Sequence, residues 1–349
     1  MADDPTFAGM GRAMLMLAIM WWAWSGYAWL TSTVDPEHGR PRVVMFAAMG
    51  AFLVIALATP GAFGDDGVLW GVAYLVVRLL HAALFALAAR GDPALARAVL
   101  SLVVSLVPGA GLIILAGAAV DGTTRDLLWV LALVLDYGIV LAVGVEGWHV
   151  HAEHFAERFG LVVIIALGES IVAIGAGAEA LGTSSGEVVA ALVALAIVCL
   201  VWWAYFDVVA LVAERRFREA VGAEQLRIAR DSYALLHLPM IAGIVLYALG
   251  VKKVLEHTGD PLKDMPAVAL CGGLALYLLA HVAFRLRNVG SLSVPRCVAA
   301  AACLAVIPLA LEAAALTALV VLGVVWLALI AFEAIRYAEA RQRVRGGHH

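Results

Sequence analysis

Several ionisable side chains lie inside stretches of the chain that are otherwise apolar. Arg78 and His81 are one helical turn apart in one stretch, and Asp136 and Glu169 lie at the middle of two others. A charged side chain at the centre of a bilayer costs about 2.5 kcal/mol or more, so each needs a partner or a water-filled cavity. We expect Arg78 to pair with Asp136 or Glu169. Such groups either bind a proton, an ion or a polar solute, or hold helices together as structural ion pairs.

Acids beside aromatic rings form a second set of candidates. The run Trp202-Trp203-Ala-Tyr205-Phe206-Asp207 places a carboxylate next to aromatic side chains, and His237 and His281 lie in two later apolar stretches. Aromatic faces stabilise cations, and a nearby acid can transfer a proton. This pattern suits an enzyme that passes through a carbocation, with Trp203, Tyr205 and Phe206 shaping its apolar pocket. Candidate catalytic acids are Asp136, Glu169 and Asp207.

The densest run of ionisable residues is Glu146-Gly-Trp-His149-Val-His151-Ala-Glu153-His154-Phe-Ala-Glu157-Arg158. The i, i+3 spacing of its first Glu and His is used by carboxylate-bridged di-iron bundles, but the order of the two residues is reversed further along. A solvated charge run is the alternative to a metal site. We expect the run to be helical, with His149 and His154 facing Glu169 or Asp207. Weak metal-ligand candidates are Glu146, His149, His154 and Glu157, and Arg158 is a candidate for solute or ion binding.

Composition identifies the environment of these groups. Hydrophobic residues make up 64% of the 349 residues and charged residues only 14%, with a net charge of -4. A soluble domain has about 25% charged residues, so the chain is predicted to be a membrane protein. There is no basic tract for nucleic acid, no C-x-x-C among the four cysteines, and no basic segment of a signal peptide near the N-terminus. No cofactor is clearly implied.

The chain divides into apolar runs of about 20 residues, the length that crosses a bilayer as a helix. We predict an all-α transmembrane bundle in a single domain over residues 1–345, with 346–349 as a tag remnant. Pro108-Gly-Ala-Gly111 predicts a kink or a break in the fourth span. The eleven predicted spans are 10–31, 43–60, 68–89, 95–119, 126–145, 159–178, 186–212, 229–251, 265–286, 295–311 and 314–336.

Arginine and lysine predict the orientation of these spans. With eleven spans, 17 of the 23 basic residues fall on the side of the C-terminus. Cytoplasmic loops carry the excess of positive charge, so the C-terminus is predicted to be cytoplasmic in a multi-pass protein of the cell membrane. Arg78 is the one basic residue placed in the interior of a span rather than near its end, and the opposite face carries Arg12, Arg125, Lys252, Lys253 and Lys263.

The long run from Glu146 to Arg158, continued to Gly168-Glu169, resembles the signature of the bacterial low temperature requirement A (LtrA) proteins. The segments Trp21-Trp22-Ala-Trp24, Trp202 to Asp207 and His237-Leu-Pro239 resemble the same family. The resemblance extends over nearly the whole chain and implies an integral membrane protein without naming a substrate. Members of the family usually begin with a further helix, so we expect that a first helix is missing here and that twelve spans would otherwise follow.

Three functions fit these residues. The first is a transporter-like or channel-like protein whose polar centre handles a proton, an ion or a small solute. The second is a membrane enzyme that acts on a lipid or prenyl substrate, by acid catalysis or with a metal. The third is a structural or lipid-binding protein. The expected partners are the lipid bilayer and a solute, ion or lipid-like ligand, with no nucleic acid and with a possible second copy of the chain.

Overall fold

The computed structural model describes residues 5–33, 39–181 and 184–346, and the regular elements in these ranges are all helical. The first helices are α1 (Phe7–Thr33), α2 (Gly39–Ala58), α3 (Gly67–Ala88), α4 (Pro93–Ala119), α5 (Gly122–Val143), α6 (Ala152–Leu181) and α7 (Ser185–Phe206). They are followed by α8 (Val209–Glu219), α9 (Gly222–Ile228), α10 (His237–Glu256), α11 (Asp264–Val289), α12 (Val294–Ala305), α13 (Ile307–Glu312), α14 (Ala315–Arg336) and α15 (Ala338–Gly346).

Ten helical segments of the described chain are long and apolar enough to cross a membrane. The prediction of a polytopic helical bundle is therefore confirmed. Helix α5 coincides with the predicted span 126–145 but is not among the ten, and it carries Arg125, Asp126 and Asp136. Helix α4 continues through Pro108, so the predicted break in the fourth span is absent from its helical residues 93–119.

The contacts divide the chain into two compact units. The first unit is Gly11–Phe155, and the second combines Ala156–His349 with Met1–Met10. In the first unit α3 packs between α2 and α4, and α4 also packs on α5. Short connections make these consecutive helices antiparallel neighbours. Their shared core is built around Trp70, Tyr74, Phe85 and Trp129.

The second unit has its closest helix pair in α10 and α11. A Cβ atom on Gly273 would lie 2.7 Å from the carbonyl oxygen of Gly243, which shows how closely the two backbones approach. Small residues allow such close crossings in membrane proteins. Helix α11 also packs on α12, while α7 packs on α14. These five helices carry the polar residues Tyr205, His237, His281, Arg296 and Glu333.

The predicted helix over 146–158 is wrong for its first part. Residues 144–151 form a turn and an extended segment, and α6 begins at Ala152. Gly144 and Gly147 have φ angles of 91° and 83°, in the left-handed region that a helix of L-residues cannot use. Residues 152–158 are helical as expected.

Candidate functional site

Arg78 and Asp136 form a buried ion pair in the first unit. The Nη2 group of Arg78 donates to Asp136 Oδ1 at 2.9 Å, and the Tyr74 hydroxyl donates to Asp136 Oδ2 at 2.5 Å. Arg78 is 1% exposed and Asp136 3%. The helices α3 and α5 supply the three side chains, one helical turn separating Tyr74 from Arg78. Of the two carboxylates offered by the sequence, Arg78 therefore contacts Asp136, while Glu169 lies exposed on α6 in the second unit.

The His81 side chain lies next to the ion pair of Arg78 and Asp136. Its ring is 5.1 Å from that of Tyr27 and 5.0 Å from that of Phe85 between ring centroids. Neither ring nitrogen has a hydrogen-bond partner among the described residues, and the same holds for Nε of Arg78. Buried polar groups are nearly always hydrogen-bonded to protein or water. The three unpartnered atoms therefore mark a place where a water, a proton or a polar ligand would be stabilised.

A second polar group lies in the second unit, at the start of α10. The Tyr205 hydroxyl and His237 Nε2 are 2.8 Å apart, and His237 Nδ1 is 3.0 Å from the carbonyl oxygen of Ser232. Residues Ala229–Leu235 form a wide π-helical turn immediately before His237. Such turns are frequent at functional sites because they re-aim side chains. Here the turn brings the Ser232 carbonyl to the imidazole.

Arg296 connects α12 to α11 and α14. Its Nε and Nη2 groups donate to the two carboxylate oxygens of Glu333 at 2.9 Å each, and Nη1 is 2.8 Å from His281 Nδ1. His281 Nε2 has no partner within the described chain. Sequence reasoning missed both charged residues, because Arg296 lies at the start of the predicted span 295–311 and Glu333 lies near the end of the predicted span 314–336. The available signal was a basic residue at the start of one span and an acid close to the end of another.

A cavity of about 270 Å³ adjoins this network in the second unit. Its polar lining includes Trp203, Asp207, Arg296 and Glu333, and its apolar walls include Phe284 and Ile330. Asp207 is 8% exposed and follows the last residue of α7. The volume is close to the lower end of the roughly 300–1,000 Å³ that is usual for small-molecule pockets.

The run from Glu146 to Arg158 does not form a metal site in the described part of the chain. Among the described residues no three His, Cys, Asp or Glu side chains are grouped so that they could hold a metal ion. His149 instead contacts Asp92, with its Nε2 3.1 Å from Asp92 Oδ2 and its side chain 60% exposed. The left-handed glycines divert the backbone here, so the spacing of a continuous helix is lost. Glu146, His154 and Glu157 are exposed and Arg158 is half-buried.

The contact with His149 also affects the carboxyl group of Asp92, which lies just before α4. The hydrogen bond from His149 lowers the pKa of Asp92, and the backbone N–H groups of Leu95 and Ala94 lower it further. The two N–H groups lie 3.1 and 2.9 Å from Asp92 Oδ1. Asp92 is therefore the N-cap of α4, and the imidazole supports the start of that helix.

Comparison with known proteins gives one family. The family model described as "Bacterial low temperature requirement A protein (LtrA)" matches residues 1–331. A protein of Rhizobium meliloti (strain 1021), described as "Uncharacterized protein RA0937", is 30% identical over 293 residues, which is 80% of this chain and 70% of that protein. No solved structure matches the chain significantly.

Proposed function

We propose a function for this chain, which belongs to the bacterial low temperature requirement A family. It is a transporter-like or channel-like membrane protein that handles a proton, an ion or a small solute. The observation that carries the proposal is the cavity in the second unit, because it adjoins the buried charges of Arg296 and Glu333. A buried ion pair alone can serve as a strut between helices. In an ion pair that adjoins a cavity, a charged solute can also replace one of the two partners.

The first unit supports the same proposal in a second way. Arg78 and Asp136 are buried together, and His81 offers two unpartnered ring nitrogens beside them. A neutral imidazole offers one N–H donor and one acceptor nitrogen, so it can hold a water or a polar ligand beside the ion pair. Ionisable groups on membrane-spanning helices are found along ion and proton pathways.

The cavity also offers a place for the alternative, an enzyme that acts on a lipid or prenyl substrate. Asp207 and the Trp203 ring both line it. However, both oxygens of Asp207 lie next to guanidinium groups, at 2.7 Å from Arg341 and 3.1 Å from Arg345. A general acid must reach the substrate directly. The carboxylate is thus paired with two cations, although its Oδ1 forms no hydrogen bond within the described residues, and this supports binding of a cationic group more than acid catalysis.

Purified protein in liposomes tests the proposal. A pH-sensitive dye inside the vesicles reports proton movement under a potassium diffusion potential, and parallel assays report Na⁺ and K⁺. We expect flux above that of empty vesicles, reduced at least tenfold by Glu333→Gln because Arg296 then loses its carboxylate. Glu312→Gln, at an exposed position of α13, is the matched control and should leave the flux unchanged. The proposal is contradicted if vesicles with the parent protein show no flux of protons, Na⁺, K⁺ or an organic solute above that of empty vesicles.

A further inference from the structure

The C-terminal helix α15 places two arginines on the carboxylate of Asp207. Arg341 Nε is 2.7 Å from Asp207 Oδ2, and the Arg341 guanidinium lies over the Trp203 ring, 5.6 Å from its centroid. Arg345 Nη2 is 3.1 Å from Asp207 Oδ1. Arg341 is 17% exposed whereas Arg345 is 59% exposed, so the first arginine occupies the site and the second lies at its edge.

Three features make this place attractive to a cation. Asp207 carries a negative charge, and only 8% of the residue is accessible to solvent. It follows Phe206 at the C-terminus of α7, where the last carbonyl groups add a partial negative charge. The face of Trp203 is also electronegative, and indole is the best aromatic partner of a cation. All three features therefore favour a positive charge at this place.

The cavity that Arg341 also lines is largely apolar elsewhere. Val209, Val212, Phe284 and Ile330 contribute apolar walls to its volume of about 270 Å³. Its second carboxylate, Glu333, is already bound through both oxygens by Arg296. A metal ion would find too few free oxygen ligands here. A molecule with one cationic end and an apolar body would match both the carboxylate of Asp207 and the apolar side chains that line the cavity.

We infer that Asp207 and Trp203 form a binding site for organic cations, of the type guanidinium or ammonium with an apolar substituent, and that Arg341 and Arg345 occupy it as a tethered competitor. The inference rests on the proposed function, because it names the class of solute that the cavity takes. A competitor on the same chain acts at a high effective concentration, so it masks the site against weak ligands. Displacement of α15 opens the site to the solute.

Calorimetry on the purified full chain in detergent tests this, with phenylguanidine as the probe. We expect the variant Arg341→Gln/Arg345→Gln to bind phenylguanidine at least tenfold more tightly than the parent, because the competitor is gone. Adding Asp207→Asn to that variant should weaken binding at least tenfold. Phenylurea, a neutral molecule of nearly the same shape, should bind at least tenfold more weakly than phenylguanidine.

Two further variants separate the site from general effects. Arg343→Gln removes a charge from the same helix, where the Arg343 Nε group donates to the Glu339 carbonyl, and it should bind the probe as the parent does. Trp203→Leu, added to the double glutamine variant, keeps the carboxylate and should weaken binding several-fold, so the test stands even if Asp207→Asn fails to fold. Equal binding of phenylurea, or no gain in the double variant over the parent, overturns the inference. Ion flux without phenylguanidine binding contradicts this inference alone, and binding without any flux contradicts the transport proposal alone.

Discussion

Arg78 cannot avoid the cost of burial by losing its proton, because a guanidinium group stays charged in proteins. The structure offsets that cost with Asp136, whose second oxygen accepts from Tyr74. A buried pair of this kind gives little net stability over apolar residues, but removal of one partner leaves a bare charge. The identity of the partner is therefore open to a mutational test.

We expect Arg78→Met to lower the free energy of unfolding by about 3–5 kcal/mol, because Asp136 would remain buried without its cation. The double variant Arg78→Met/Asp136→Asn should recover most of this loss. Denaturant unfolding in detergent measures both. Arg78→Met/Glu169→Gln is the control and should recover none of it. A single variant as stable as the parent, or equal recovery by the control, would show that the Asp136 contact does not matter.

At the scale of the element, glycine decides how closely α10 and α11 pack. Gly243 and Gly273 face each other, and a Cβ on Gly273 would also lie 2.7 Å from the backbone nitrogen of Tyr247. Backbone atoms cannot move aside as a flexible side chain can. The neighbouring Gly272 points elsewhere, since the nearest atom to its Cβ position is Val268 Cγ1 at 3.8 Å.

Gly273→Ala should destabilise the protein by about 1–3 kcal/mol, because the added methyl group forces the two helices apart. Gly272→Ala adds the same methyl group one residue away and should be neutral or stabilising, since alanine favours a helix by about 1 kcal/mol over glycine. Thermal unfolding of the two variants in the same detergent makes the comparison. Equal stability of the pair would contradict the close crossing of α10 and α11.

The start of α4 depends on the ionised carboxylate of Asp92. Since the folded pKa of Asp92 is lowered, its stabilising effect is present above the ordinary carboxyl pKa of about 4 and is lost as the pH falls below it. We therefore expect Asp92→Ala to lower the melting temperature at pH 7 but to make less difference at pH 3. Asp65→Ala, at an exposed position, should make little difference at either pH. An Asp92→Ala effect that is the same at both pH values would exclude the charged cap.

At the scale of the whole molecule, the distribution of basic residues predicts that the C-terminus is cytoplasmic. The arginines of α8 and α15 belong to this face, and Arg215 donates to the carbonyl oxygen of Val344, which brings the two helices into contact. Both helices follow a long apolar helix, α7 and α14 respectively. The polar end of the second unit is thus built from segments far apart in sequence.

A reporter enzyme fused to the C-terminus should be active only if it functions in the cytoplasm. The same reporter inserted after Gly259, in the loop predicted for the opposite face, should be inactive there. An export-dependent reporter should give the reverse pattern at the two positions. Activity of the export-dependent reporter at the C-terminus would mean that the number of spans is wrong by one.

The sequence by itself determined the membrane environment, the all-helical fold class and the positions of most spans. An apolar run long enough to cross a bilayer can form few structures other than a helix. It also singled out Arg78 and Asp136, since a charge in an apolar run stands out without any knowledge of its neighbours. Only the tertiary structure decided between Asp136 and Glu169, joined Arg296 to Glu333, and set Arg341 on Asp207. These pairs are 58, 37 and 134 residues apart in the chain. Helical periodicity places a residue on one face of its own helix. Which helix faces meet depends on the packing between helices. This packing is decided by close contacts such as that between Gly243 and Gly273.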